Sequence, residues 1–187
     1  MKKILAIIAC LVFVSTGAEA VEISLGFQAE LRTASGTLIK DVYGNGMCYF
    51  PYATVKLGKG FTVGAGYEFG YSRSGMIGLY KEDTTLKVSG IEAFVGYQFS
   101  ISMVTPYVFV GFGSFSYKQT VDSPAAQDVD FRKSTFFAAA GLKISPMKYG
   151  YISAEVKYVP LMVKPYEDEV DLGGLRLTAG IGFSFGL

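Results

Sequence analysis

Residues 175–187 read LRLTAGIGFSFGL and alternate between two classes of side chain without a break. Every odd position is apolar, and every even position is small or polar. Successive side chains of a β-strand point to opposite faces, so the stretch predicts a strand with one apolar and one polar face. Its thirteen residues exceed the ~9–11 that a tilted strand needs to cross a bilayer. The stretch therefore indicates a membrane-spanning strand.

The N-terminal twenty residues are typical of a cleaved secretory signal. A lysine pair precedes an apolar run over residues 4–14, and the tripeptide AEA at 18–20 fits the small-x-small cleavage rule. The run is too short for a transmembrane helix. A lipoprotein signal ending at Cys10 would leave an apolar region shorter than such signals use. We therefore predict a signal peptide over 1–20 and one mature domain over 21–187.

Charge and residue usage exclude several classes of function. Removal of Lys2, Lys3 and Glu19 leaves fifteen basic and fifteen acidic side chains, and the absence of a basic cluster argues against a nucleic-acid partner. Cys48 is the one cysteine of the mature chain, so no intramolecular disulfide can form, and we interpret it as a small buried or rim residue. The chain has no histidine. We expect no enzyme activity, no cofactor and no metal site.

Seven further stretches carry the same alternation as the terminal one. The connections between them alternate in length, with short ones at 58–60, 100–105 and 145–150 and long ones at 33–47, 72–87, 118–134 and 160–174. Outer-membrane barrels combine short periplasmic turns with long extracellular loops in this way. The predicted strands cover residues 23–32, 49–57, 61–71, 88–99, 106–117, 135–144 and 151–159, with a bulge at a phase slip near Gly90.

The fold class that follows is all-β, an eight-stranded antiparallel up-and-down transmembrane β-barrel. Closure pairs every strand on both sides, which satisfies the backbone in lipid. An even strand count puts both termini on the short-turn side, so we expect a monomer in the outer membrane with both termini periplasmic. Glycines fall mostly on the polar phase, where they leave room for long lumenal neighbours; the apolar face therefore points to lipid.

The charged residues of the predicted strands all lie on the phase opposite the apolar residues. A basic side chain on the lipid face at mid-depth would cost about 2–4 kcal/mol, so these charges are expected in the lumen. Five are acidic and five basic, and pairing makes their burial tolerable. The ten residues are Glu22, Glu30, Arg32, Lys56, Glu68, Glu92, Lys143, Glu155, Lys157 and Arg176.

We predict a lumenal salt-bridge network among these charges. Arg176 is expected at its centre because the guanidinium fork binds carboxylates bidentately, and it is expected to face Glu30 where the last strand closes on the first. The network would hold and plug the barrel, since eight-stranded barrels fill their interiors; the alternative is a narrow gated pore. Its centre is Arg176, Glu155, Glu68 and Glu92, and its further members are Glu30, Arg32 and Lys157.

Two surface features accompany the strands. Aromatic residues near the strand ends indicate interfacial girdles, with Tyr67, Phe69, Tyr71 and Tyr158 toward the long loops. The loop 166–171 holds four carboxylates, but its spacing matches no calcium loop, so we interpret it as a solvated charged loop.

Two segments carry a family resemblance. With PYVFVGFG at 106–113 and GIGFSF at 180–185, the chain resembles the OmpA-like, opacity-type outer-membrane β-barrel superfamily. The resemblance covers essentially the whole mature chain and implies insertion by the outer-membrane assembly machinery, which reads an aromatic-rich last strand. Here Leu187 stands at the final position, where phenylalanine is usual.

The function predicted from these features is a structural or surface-interaction role through long extracellular loops. Its partners would be outer-membrane lipids, the assembly machinery during insertion and an extracellular ligand of the loops. A narrow pore for small solutes is the alternative. A lipid-modifying enzyme of the outer leaflet is disfavoured because the known eight-stranded examples rely on a histidine, which this chain lacks.

Overall fold

The computed structural model describes residues 21–33, 36–78, 81–122, 128–163 and 170–186; the predicted signal peptide lies outside them. Eight strands close into an antiparallel barrel in the order β1-β10-β7-β6-β5-β4-β3-β2, which confirms the predicted fold class, while β8 and β9 form a separate small hairpin. None of the described helices has the length and apolarity to span a membrane. The elements are β1 (Glu22–Arg32), α1 (Thr37–Val42), β2 (Gly46–Leu57), β3 (Phe61–Ile77), β4 (Glu82–Gln98), β5 (Val104–Val121), β6 (Val129–Ile144), β7 (Gly150–Val159), β8 (Met162–Val163), β9 (Val170–Asp171) and β10 (Gly174–Gly186).

The alternation of β10 decides which face of the barrel wall is outside. Leu177 and Ile181 are 45% and 62% exposed, whereas Arg176 and Thr178, which flank Leu177, are buried. The strand closes the barrel by pairing with β1 from Glu22↔Gly186 to Arg32↔Arg176. The apolar phase therefore covers the outer surface and the polar phase fills the lumen.

Two hairpins are much longer than the alternation predicts. β3 and β4 each have 17 residues and are joined at positions 78–81, and β5 has 18 residues. About 9–11 residues suffice to span the bilayer, so both hairpins continue beyond it. The predicted long loops 72–87 and 118–134 are wrong in this respect. Outside the hydrocarbon region of the bilayer the outward positions become polar, as at Ser72 and Lys87, so the apolar alternation ends before the strand does.

The predicted bulge at Gly90 is also wrong: the irregularity lies on the neighbouring strand. Glu68 pairs with Gly90 and Tyr71 with Val88, so two residues of β3 oppose one residue of β4. Gly70, at the bulge, has a φ of 90° that favours glycine. The extra residue reverses the phase of β3, which turns Tyr71 into the lumen, where it is 4% exposed. Tyr71 is therefore not part of the outer aromatic girdle.

Aromatic rings of the lumen pack on glycines of neighbouring strands. A Cβ added to any of these glycines would collide with the ring, so the glycines make room for aromatic side chains. The polar phase therefore holds bulky rings as well as charges, which the alternation alone does not indicate. The pairs are Tyr52 on Gly26, Phe94 on Gly64, Phe50 on Gly66, Phe115 on Gly90, Phe137 on Gly111, Tyr107 on Gly141 and Tyr151 on Gly182.

The long-hairpin end of the lumen is covered by residues from the connections. Ile39 and Val42 of α1 pack against the buried cluster that includes Tyr43, Leu161 and Leu172. The sequence predicted this segment as a loop, and the helix is only six residues long. The connection between β1 and β2 thus covers one end of the barrel.

Candidate functional site: the lumenal ion-pair network

The buried charges of the lumen lie on two facing walls. Lys157 of β7 is directly opposite Arg176 of β10, which is directly opposite Arg32 of β1, so three cations lie side by side. Glu68 of β3 and Glu92 of β4 lie on the other wall. Cross-strand cations repel each other, so the arrangement depends on carboxylates that reach across the lumen.

Arg176 is the centre of the network. Its Nη1 atom forms a short contact with Glu68, lies 3.3 Å from Oε2 of Glu30 and 3.5 Å from Oε1 of Glu92. All four side chains are at most 1% exposed. The predicted neighbour Glu30 is reached diagonally, because Thr178 is the residue directly opposite it. One guanidinium therefore joins three strands of the barrel wall.

Lys157 and Arg32 extend the network on either side. The Nζ atom of Lys157 lies 2.6 Å from Oε1 of Glu30 and 2.9 Å from Oε2 of Glu92. Arg32 lies 3.4 Å from Oε1 of Glu68 and donates a 2.6 Å hydrogen bond to the carbonyl oxygen of Leu172. Three carboxylates thus meet three cations, and the network has no net charge.

Glu155 lies apart from these contacts. Among the described residues no cation lies within 4.0 Å of its carboxylate, although the prediction placed it at the centre. It lies two residues before Lys157 and lines a cavity of about 20 Å³ together with Tyr107 and Lys143. About 10–15 Å³ of such space is needed for one water molecule, so the cavity can hydrate Glu155 but cannot form a channel.

Aromatic residues close the lumen toward the long hairpins. The Arg32 guanidinium lies 5.2 Å from the ring centre of Tyr71 and 5.8 Å from that of Tyr117. Beyond them the hydroxyl of Tyr43 is 3.0 Å from Thr84 Oγ1 and accepts a 2.8 Å hydrogen bond from Gln119. Burial raises the pKa of the Tyr43 hydroxyl above its usual value. This end is therefore covered by uncharged hydrogen-bonding groups.

A second aromatic layer closes the lumen toward the short turns. The ring of Phe94 packs against that of Phe109 at a tilt, with centres 5.0 Å apart, and edge to face against that of Phe137 at 6.5 Å. The Lys157 ammonium lies 4.2 Å from the ring centre of Phe50. Below them the hydroxyl groups of Tyr52 and Tyr151 are 3.0 Å apart. The Nζ atom of Lys143 donates a 3.2 Å hydrogen bond to Oε1 of Gln98. Charged, aromatic and polar layers therefore succeed one another along the lumen.

Cys48 lies beside the network. It is fully buried, in agreement with the interpretation of a small buried residue. Its Sγ atom is 3.6 Å from Oε2 of Glu30, and together with Glu68 these residues have ligand atoms within 4.8 Å of one another. Arg176 already neutralises both carboxylates, so a metal ion would have to displace it. The predicted acidic loop 166–171 lies outside the described residues except for positions 170 and 171.

The lumenal aromatic residues are the part of the site that the sequence analysis missed. Phe50, Phe94 and Phe109 lie on the same phase as the charges, but they were not assigned to the lumen. A usable signal exists, because each ring is opposite or diagonal to a glycine once the strand register is known. The tight turns fix the register of neighbouring strands, so aligning the strands from these turns would reveal the aromatic–glycine pairs.

Comparison with known proteins places this architecture in a family. The outer membrane protein beta-barrel domain matches residues 6–185, whereas a search of curated sequences found no match. Three solved structures show the same fold. OprG of Pseudomonas aeruginosa has a TM-score of 0.65 at 12% identity, covering 89% of this chain and 96% of its own. Neisserial surface protein A has a TM-score of 0.64 at 16% identity, and the match covers 87% of this chain and 97% of its own.

The third structure is Ail, the attachment invasion locus protein of Yersinia pestis, in complex with the heparin analogue sucrose octasulfate. Its TM-score is 0.55 at 18% identity, and the match covers 89% of this chain and 98% of Ail. At these identities the likeness concerns the fold. The family match spans nearly the whole chain, and the closed barrel agrees with it. This chain belongs to the outer membrane protein beta-barrel family and is an outer-membrane protein.

Proposed function

We propose that this protein is a closed barrel that presents its long hairpins at the cell surface, with both termini in the periplasm. The observation that carries the proposal is the occlusion of the lumen by the ion pairs of Arg176 and Lys157 and by the aromatic layer around Phe94. Small barrels with filled interiors have no aqueous path. The lumen therefore serves stability, and the exposed hairpins are left to make contacts.

The hairpins support the surface role. β3 has about 6 residues more than a bilayer span requires, which is roughly 20 Å of extra strand. Two of the proteins with a similar fold are named a surface protein and an attachment invasion locus protein. We propose no catalysis, because the buried carboxylates Glu30, Glu68 and Glu92 are engaged with cations.

Single-channel recording separates this function from the pore alternative. Refolded protein in planar bilayers is expected to show no stepwise current, and the same is expected of Arg176→Ala, because the aromatic layer remains. Stepwise current from the wild-type protein would contradict the proposal. Current that appears only in Arg176→Ala would show that the network is a gate and would favour the narrow pore.

A further inference from the structure

Three cations lie together on the outer wall of the barrel. Lys87 of β4 is directly opposite Lys118 of β5, and Arg132 of β6 is diagonal to Lys118, opposite Ser116. All three residues are exposed. We call them the basic cluster. Like charges directly opposite each other on neighbouring strands are unfavourable, so an anion bound between them would relieve a repulsion built into the wall.

Little in the described structure neutralises the basic cluster. Asp130, opposite Lys118, is the one acidic residue paired with a cluster residue. Within the described ranges, none of these four side chains takes part in an ion pair within 4.0 Å. The last outward positions of β1 and β7 carry the uncharged residues Leu31 and Tyr158, so these two strands add no cation to the outer wall there.

The basic cluster lies above the apolar band of the same strands. The outward residues Ile91 and Phe136 are 64% and 73% exposed and lie four residues from Lys87 and Arg132, respectively. Four strand residues span about 13 Å. Polar Ser116 separates the cluster from the band on β5. The cluster therefore lies at the height where the polar headgroups of lipids meet the hydrocarbon region.

An apolar groove of about 720 Å³ lies below the basic cluster on the same wall. Ala93 and Ala138 are small and exposed, and they line the groove together with Phe112 and Phe136, whose rings meet edge to face at 5.3 Å. The volume is within the ~300–1,000 Å³ of small-molecule sites. A groove for a hydrocarbon chain and cations for a headgroup thus occur on one set of strands.

We propose that the basic cluster and the groove form one binding site for a phosphorylated, acylated lipid of the outward-facing leaflet, of the lipid A type. The phosphate binds Lys87, Lys118 and Arg132, because cationic donors form strong hydrogen bonds with phosphate. An acyl chain lies in the groove between Phe112 and Phe136. The outward-facing leaflet follows from the proposed function, which puts the long hairpins outside.

Titration in micelles tests the site independently of membrane orientation. Refolded protein is titrated with diphosphoryl lipid A, and bound lipid is counted by native mass spectrometry. The variant K87Q/K118Q/R132Q is expected to bind on the order of 100-fold more weakly, since each cation near an anionic headgroup contributes about fivefold. The matched control K40Q/K59Q/K148Q removes three exposed cations elsewhere and is expected to bind like the wild type. Equal binding by the two triple variants would overturn the headgroup assignment.

Two further arms define the ligand. Dephosphorylated lipid A is expected to bind the wild type as weakly as diphosphoryl lipid A binds the triple variant. Phosphatidylglycerol that bound as tightly as diphosphoryl lipid A would overturn the lipid class. Ala138→Leu fills the groove and is expected to weaken lipid A binding severalfold, whereas the control Ala179→Leu, which is exposed on β10, is not. Equal affinities of these two variants would overturn the groove.

Discussion

Arg176 is the residue on which the lumenal network depends most, because its guanidinium contacts carboxylates from β1, β3 and β4. Replacing it by Met leaves Glu68 with the 3.4 Å contact to Arg32 as its remaining described ion pair. Removing one partner of a buried ion pair typically costs about 3–5 kcal/mol. We expect Arg176→Met to lower the free energy of unfolding by about this amount, measured by urea titration in detergent micelles.

A double-mutant cycle shows whether this cost comes from the ion pair. The double variant Arg176→Met with Glu68→Gln is expected to be less destabilised than the sum of the single variants, because the unpaired charge is removed. Thr178→Val, at the next lumenal position of β10, is the control for a change of polarity alone. Strictly additive effects would contradict a direct coupling of Arg176 and Glu68.

The sequence predicts which side chains face the lumen, but not which of them form ion pairs. Arg176, Glu68 and Glu92 could be assigned to the lumen because each is a charge on the polar phase of a strand. Glu155 could not be separated from them, since phase gives the face but not the distance to partners on strands far along the chain. Those distances depend on register around the barrel, and one bulge in β3 changes them.

For the strands, the sequence predicts the membrane-spanning part but not the full length. The eight barrel strands follow from apolar alternation, which marks the lipid-facing wall. The outer ends of β3, β4 and β5 do not follow from it, because outside the hydrocarbon region nothing selects apolar residues at Ser72, Lys87 or Lys118. The six-residue helix α1 lacks a side-chain N-cap hydrogen bond, and its apolar residues pack on the lumenal cluster. Tertiary packing rather than local sequence therefore explains it.

Adjacent positions of β3 test the two faces of the wall. Gly66 lies under the Phe50 ring in the lumen, whereas Ala65 is exposed on the outer face. Gly66→Val is expected to displace the ring and to destabilise the barrel by about 1–3 kcal/mol, as overpacking does. Ala65→Val adds apolar surface toward lipid and is expected to leave stability unchanged or slightly raised. The temperature at which the folded band is lost in heat-modifiability gels measures both variants.

A reversed order of stability, with Ala65→Val less stable than Gly66→Val, would contradict the assignment of the lumenal and lipid-facing sides of β3. A destabilised Ala65→Val beside a neutral Gly66→Val would mean that the apolar phase is inside, as in a water-soluble barrel. Because the substitutions are one residue apart on the same strand, a difference in distance from the membrane surface cannot explain the contrast.

At the scale of the whole molecule, closure couples the two ends of the chain. β1 and β10 pair along eleven residues, so the barrel is complete only when both termini are in place. Both described ends of the chain lie on the side of the short turn at residues 58–60, whereas Gly78 and Asp122, at the far ends of the long hairpins, lie on the other. The proposed function therefore requires the short turn to lie in the periplasm and the long hairpins to lie at the cell surface.

Epitope tags on the two sides test this orientation. A tag inserted after Gly78, at the tip of the β3–β4 hairpin, is expected to bind antibody on intact cells. The matched tag after Gly58, in the turn between β2 and β3, is expected to bind only after the outer membrane is permeabilised. Both glycines have a positive φ in turns, at 74° and 56°, so the insertions interrupt comparable backbone. Antibody binding to the Gly58 tag alone on intact cells would reverse the orientation and contradict surface display of the hairpins, while leaving the lumenal network and the lipid titration in micelles unaffected.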